Sequence, residues 1–195
     1  MISIFTAFFD ANAFYGARLR SLLLTLAQTK QFRARWSASV QDEWVGHLKS
    51  NRPDLDPAKI DQTRALMDAA VPDCLVTGFE PLIPALALPD PKDRHVLAAA
   101  IVCRANCIVT FNLADFPAAS IANFGIHAVH PDEFLLDVHG LDADAFVRAV
   151  EEDRLRYRNP PLSLADYVAS LRKSQVPKTA DLIDGLAVSL GGMNP

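Results

Sequence analysis

The sequence has little cysteine, no long apolar run and no excess of positive charge. Its three cysteines are Cys74, Cys103 and Cys107. An odd number cannot close into a complete disulfide framework. Apolar neighbours on all three suit buried thiols in a reducing, cytoplasmic compartment. Cys103 and Cys107 stand four apart, a spacing that one helix face would share. No histidine or third cysteine accompanies them, which argues against structural zinc. No stretch approaches the ~20 apolar residues of a membrane span. The run from Met1 to Phe9 lacks a basic region and ends on Asp10, unlike a signal peptide. Internal repeats and low-complexity tracts are absent. Lys and Arg number 19 against 23 Asp and Glu, giving a formal charge of -4. Taken alone, that balance speaks against a nucleic-acid partner, which usually selects for positive charge.

Half of the 195 residues are hydrophobic and 22% are charged. A chain of this size can bury a core without covalent staples, so disorder is excluded for most of it. Ile4 to Phe9 is predicted as a buried strand. Leu19, Leu22, Leu23 and Leu26 give helical spacing across Phe14 to Thr29. A second helix is expected from Ser39 to about Ser50, and a third over Pro57 to Ala70. Leu75 to Thr77, Cys107 to Thr110 and Ile126 to Val129 read as strands, and Pro131 to Val138 as a helix. Between them, Pro91 fits the first turn of an alanine-rich helix with Val96, Ala99, Ala100 and Cys103 on one face. Alternating strands and helices predict a three-layer α/β/α fold around a parallel sheet. After Gly140 only helical patterns appear: Asp142 to Tyr157, Ser163 to Lys173 and Lys178 to Leu190. The last five residues read as frayed. The expected division is residues 1–139 and a helical extension over 140–195.

Open parallel sheets place ligands at the carboxyl ends of their strands. Asp10 closes the first strand there, and Asp115 follows the strand ending at Thr110. Asp90 and Asp93 open the alanine-rich helix, and Glu43 lies early in the second helix. Carboxylates gathered at one point repel and need a cation, and hard ions such as Mg²⁺ or Mn²⁺ prefer oxygen ligands. Such a site suits metal-assisted phosphodiester hydrolysis. Each acid also has a plainer reading. Asp90 with Asp93, Asn112 with Asp115, and Ser39 with Asp42 all match capping boxes. Asp10 resists that reading most, since an acid directly after an apolar strand is costly to bury without a partner.

The segments Phe8-Phe-Asp-Ala-Asn12, Trp36-Ser with Glu43-Trp44, Leu88-Pro-Asp-Pro-Lys-Asp-Arg-His-Val-Leu-Ala-Ala-Ala100 and Ile108-Val-Thr-Phe-Asn-Leu-Ala-Asp-Phe-Pro117 resemble the PIN-domain nucleases in order and spacing. The likeness is to the branch containing the VapC-type toxins of bacterial toxin–antitoxin pairs. The tail after Gly140 resembles the C-terminal extension of some of its members. The resemblance implies Asp10, Glu43, Asp93 and Asp115 as the acidic quartet. Asp10, Asp93 and Asp115 would hold Mg²⁺ or Mn²⁺, with Asp90 as an extra acid, and Glu43 would orient or deprotonate water. Asn12 and Asn112 would contact substrate, Asn112 standing where relatives carry a polar residue that supports the site. The activity implied is RNA hydrolysis leaving a 3′-hydroxyl and a 5′-phosphate. The resemblance also implies a cognate antitoxin and a homodimer as partners.

Arg18, Arg20, Lys30, Arg33 and Arg35 fall in a stretch without Asp or Glu, from Ala11 to Gln41. They suggest a phosphate-tracking rim, with Arg18, Arg33 and Arg35 as substrate contacts and Tyr15 and Trp36 available for stacking. A solvated helix face is the alternative. The arginines 154, 156 and 158 sit among acids and read as ordinary surface. His95 reads as a helix-surface contact. Two other functions compete. A haloacid-dehalogenase-type phosphatase would need an acid at position 12, where Asn12 stands. A non-catalytic module would use the acids only as caps.

Overall fold

The computed structural model describes residues 4–186. In chain order the elements are β1 (Thr6–Phe9), α1 (Ala11–Tyr15), α2 (Ala17–Gln28), β2 (Arg33–Ser37), α3 (Ala38–Asn51), α4 (Pro57–Ala70), β3 (Leu75–Val76), α5 (Arg94–Val102), β4 (Cys107–Val109), α6 (Ala118–Ile121), β5 (His127–Val129), α7 (Pro131–Leu141), α8 (Ala143–Leu155), α9 (Leu164–Lys173) and α10 (Pro177–Gly185). Short 3₁₀ turns cover Pro91–Asp93 and Leu113–Asp115. The expected extension of the last helix to Leu190 and the frayed end at 191–195 lie outside the described residues.

Two compact units emerge. One uses the chain up to Tyr15 and Phe32–His130; the other uses Gly16–Gln31 and the chain from Pro131. The boundary expected at 139/140 falls inside α7.

The first unit is a five-stranded parallel sheet in the order β3-β2-β1-β4-β5. From β1 the chain steps outward through β2 to β3, then returns to the other side of β1 as β4. Right-handed crossovers put helices of the outward and returning steps on opposite faces. Phe14 of α1 lies against Phe9 and edge-on to Trp36, which marks one face. Arg35, adjacent in β2, faces the other way, where its charge reaches the Cys103 thiol at the end of α5. Ala98, Ala99 and Ala100 are fully buried, and α5 packs on β1, β2 and β4. Their small side chains permit that close approach. This is the parallel-sheet α/β architecture expected from the pattern, and it agrees with the PIN-like fold that the resemblance implies.

Several local expectations are corrected. The helix expected over Phe14 to Thr29 breaks at Gly16 into α1 and α2. β2 was not anticipated, because Arg33-Ala-Arg-Trp-Ser carries two charges; alternation lets Ala34 and Trp36 turn inward instead. Ser37 caps α3 by accepting from Val40 N–H, so Ser39 is not the cap. Asp42 pairs with Arg64 across the surface, 2.5 Å away. Trp36 is 0% exposed, with its indole N–H on Asp68, and has no face free for stacking.

The second unit is helical, built from α2 and α7 to α10. Asp153 is completely buried and accepts from Ser21 Oγ and Tyr167 OH. Burial raises its pKa against those two hydrogen bonds. Arg18 stacks over the Tyr157 ring at 3.9 Å. Ion pairs Arg154–Glu151 and Arg156–Glu152 fit the surface reading of that cluster. α10 starts without a cap from its own sequence; Asp132 of α7 supplies one, accepting from Lys178 N–H and Thr179 N–H at 2.9 and 2.8 Å. Losing a cap costs about 1–2 kcal/mol. Asp132→Ala should therefore speed amide exchange across Lys178 to Ile183 roughly 5–30-fold, while exchange in β1 and β4 is unchanged.

Candidate active site

The strand order reverses between β1 and β4, and a crevice at the carboxyl ends of the strands forms at such a switch point. Asp10 follows β1 there, and Thr110 follows β4. Asp10 is 6% exposed. Its Oδ1 accepts from Ala11 N–H at 2.6 Å, and its Oδ2 accepts from Asn12 Nδ2 and Thr110 Oγ1, both at 2.7 Å. Burial raises its pKa, opposed by the Thr110 and Ala11 hydrogen bonds. A carboxylate offers about four lone-pair sites; three are used, so one stays open.

Thr110 and Asn12 complete the lock. Thr110 is 0% exposed. Its hydroxyl donates to Asp10 and accepts from Asn12 Nδ2 at 2.9 Å and Asn112 N–H at 3.0 Å. That is one donor and two acceptor positions, the full capacity of a hydroxyl. Asn12 Oδ1 accepts from Phe111 N–H at 3.0 Å. Asn12 therefore ties β1 to the loop after β4, and no carboxyl stands there for a phosphatase's general acid. Thr110 was missing from the expected site because a threonine ending a β-branched run reads as strand.

The other acids are held more loosely. Asp90 accepts from Lys92 N–H at 2.8 Å and so caps the turn before α5. Asp93 stands at the N-cap of α5 without making a side-chain cap, and Asn112 makes none for its turn. The capping readings of these two pairs are thus only half right for Asp90–Asp93 and wrong for Asn112–Asp115. Burial pushes the Asp93 carboxyl up to about 6, helped by the charges of Asp10, Asp115, Asp90 and Glu43. The charges of the other four acids thus all reach Asp93. Glu43, on α3, bonds to His95 Nε2 through Oε1 at 2.9 Å. His95 is mostly buried, not the surface contact expected.

Arg33 does not join this group. Arg33 begins β2 opposite Thr6, at the far end of the strands from Asp10. The charge of Arg35 reaches the thiols of Cys74 and Cys103. Arg18 belongs to the second unit, over Tyr157.

Among the described residues, no three His, Cys, Asp or Glu side chains stand close enough to grip an ion as placed. The donor chemistry still fits a hard divalent cation: several oxygens, mutually repelling, with Asp10 keeping an open lone pair and Asp93 unpaired by its helix. Because folding raises the Asp93 pKa, the folded state holds that proton more tightly. Stability from this group is present below about pH 4 and is lost as pH rises through about 6. In EDTA, Asp93→Asn should raise the thermal midpoint at pH 7 by a few degrees, and the gain should vanish near pH 4, as read by scanning calorimetry.

Residues 6–114 match the family model described as "PIN domain", and residues 131–185 match that of the "VapC50 C-terminal domain". A protein of Mycobacterium tuberculosis (strain ATCC 25618 / H37Rv), named "Putative ribonuclease VapC50", is 42% identical over 89 residues. That match covers 46% of this chain and 52% of the relative, about half the length of each. No solved structure matches the chain. With the PIN model spanning more than half of its residues, and the acids standing where the sheet reverses, this chain belongs to the PIN-domain family.

Proposed function

We propose that the chain is a metal-dependent endoribonuclease, the toxin of a toxin–antitoxin pair, hydrolysing RNA phosphodiester bonds to a 3′-hydroxyl and a 5′-phosphate. The observation that carries this reading is Asp93. Burial first, and then the charges of Asp10, Asp115, Asp90 and Glu43, push its carboxyl up to about 6, and a bound cation would relieve the repulsive part. A module using its acids only as caps would not leave Asp93 uncommitted at its helix N-terminus.

In this reading Asp10, Asp93 and Asp115 hold Mg²⁺ or Mn²⁺, with Asp90 at the margin. When bound, the cation supplies a lowered water pKa and charge neutralisation at the attacking and leaving oxygens. The protein's own work is positional. Asp10 is fixed by Ala11, Asn12 and Thr110. Glu43 orients the water or takes its proton. Substrate contacts fall to Asn112 and the neighbouring loop rather than to Arg33, which lies at the other end of the sheet. An antitoxin and a second copy of the chain are the proposed protein partners, and the cytoplasm the proposed compartment. Cys74, Cys103 and Cys107 form no disulfide with one another, and no helix among the described residues is long and apolar enough to cross a membrane.

The test is incubation of purified protein with total RNA, with and without EDTA, beside Asp93→Asn. Asp93 is preferred over Asp10 because Asp10→Asn would turn an amide N–H₂ toward groups that already donate. Cleavage should require the metal and fall more than about 100-fold in the variant, beyond the 10–100-fold typical of an outer partner. Equal cleavage by variant and wild type would sink the assignment.

A further inference from the structure

His95 shares the start of α5 with Asp93 yet takes no part in the acidic quartet. Its Nε2 lies 2.9 Å from Glu43 Oε1, and its side chain is 12% exposed against 40% for Glu43. An ionised carboxylate only accepts hydrogen bonds, so Nε2 carries the hydrogen. In the neutral ring the bare nitrogen is then Nδ1, which is buried and meets no partner among the described residues. A buried polar atom without a partner costs about 1–3 kcal/mol. Packing alone gives no reason to place an imidazole there, since an apolar ring would fill the space without that cost. The bond to Glu43 supplies one.

Glu43 needs that bond. A glutamate side chain turns about three bonds and loses up to about 2 kcal/mol of rotamer freedom when fixed. Its own helix offers nothing to fix it, because a residue well inside the first turns of α3 has no free backbone N–H pointing along the side chain. The charge of Glu43 nevertheless reaches both Asp10 and Asp93. The donor comes from α5, the helix whose first turn also presents Asp93. One element thus sets the position of an acid of its own and of an acid on α3.

We propose that His95 is a positioning residue: its Nε2–H holds the Glu43 carboxylate in place beside the other acids, and it acts on the reaction only through Glu43. This rests on the ribonuclease reading for its kinetic consequence, whereas the hydrogen bond itself can be tested without RNA. Nuclear magnetic resonance of ¹⁵N-histidine-labelled protein, without metal or RNA, should show His95 as the Nε2–H tautomer with slowed proton exchange. Glu43→Ala should abolish that slowing. The Nδ1–H tautomer, or exchange indifferent to Glu43→Ala, overturns the proposal.

The kinetic arm uses wild type, His95→Ala, His95→Gln, Glu43→Ala and the double variant on one RNA. His95→Ala should lower kcat about 10–100-fold, as loss of an outer partner does, with KM unchanged within about twofold. His95→Gln keeps an amide donor and should recover part of the loss. In the Glu43→Ala background, His95→Ala should add less than about twofold, the non-additivity of residues acting as a unit. Mn²⁺ titrated into RNA-free protein should bind wild type and His95→Ala alike. Full additivity, or loss of Mn²⁺ binding in His95→Ala, overturns the proposal. Wild type that leaves RNA intact overturns the ribonuclease reading instead, and the tautomer result then decides the positioning claim alone.

Discussion

Taking water away from an ionised carboxylate costs several kcal/mol even after the protein relaxes. Asp10 meets that cost with three donors from three sources: the N–H of the helix it opens, the amide of Asn12, and the hydroxyl of Thr110 on the neighbouring strand. The Thr110 bond is the one on which the site depends. It crosses from β4 to β1 where the strand order reverses, so it fixes the relative height of the two strand ends. It also orients Asn12 and the backbone of Asn112. Everything that follows β4, including the turn bearing Asp115, starts from that anchor.

Around the anchored acid the others are deliberately less tied. Asp93 and Asp115 make no cap for their own turns, and Glu43 reaches across from α3 to a histidine on α5. A rigid first acid sets the origin of the site; Glu43 is tied to His95, Asp90 caps its own turn, and Asp93 makes no cap. α5, with Asp93 at its N-cap and three fully buried alanines, packs on β1, β2 and β4.

Much of this was legible from residues alone, for physical reasons. An apolar run ended by an acid, and a β-branched run followed by Asn and Asp, announce strand ends because burial and pairing demand those patterns. α4 was bounded correctly, since Pro57 suits a first turn. β2 escaped because alternation over five residues carrying two arginines does not look apolar. Gly16 hid a helix break, its backbone turning extended between α1 and α2. A charge count along the chain cannot show that Arg33 sits at the far end of the strands or that Arg18 stacks on a tyrosine. Thr110 read only as strand and His95 only as a helix-surface contact, because their importance lies in what they touch, 100 and 52 positions away.

The second unit is assembled from two distant pieces of chain. α2 leaves between β1 and β2, yet its helical partners α8 and α9 come from residues 143 onward. On the ribosome, where about 5–20 residues emerge each second, Leu19, Leu22, Leu23 and Leu26 are made long before those partners exist. They must wait exposed, or sheltered by something else, for the whole sheet to be synthesised. A message cut short before α8 would therefore yield a sticky fragment rather than a trimmed version of the same protein.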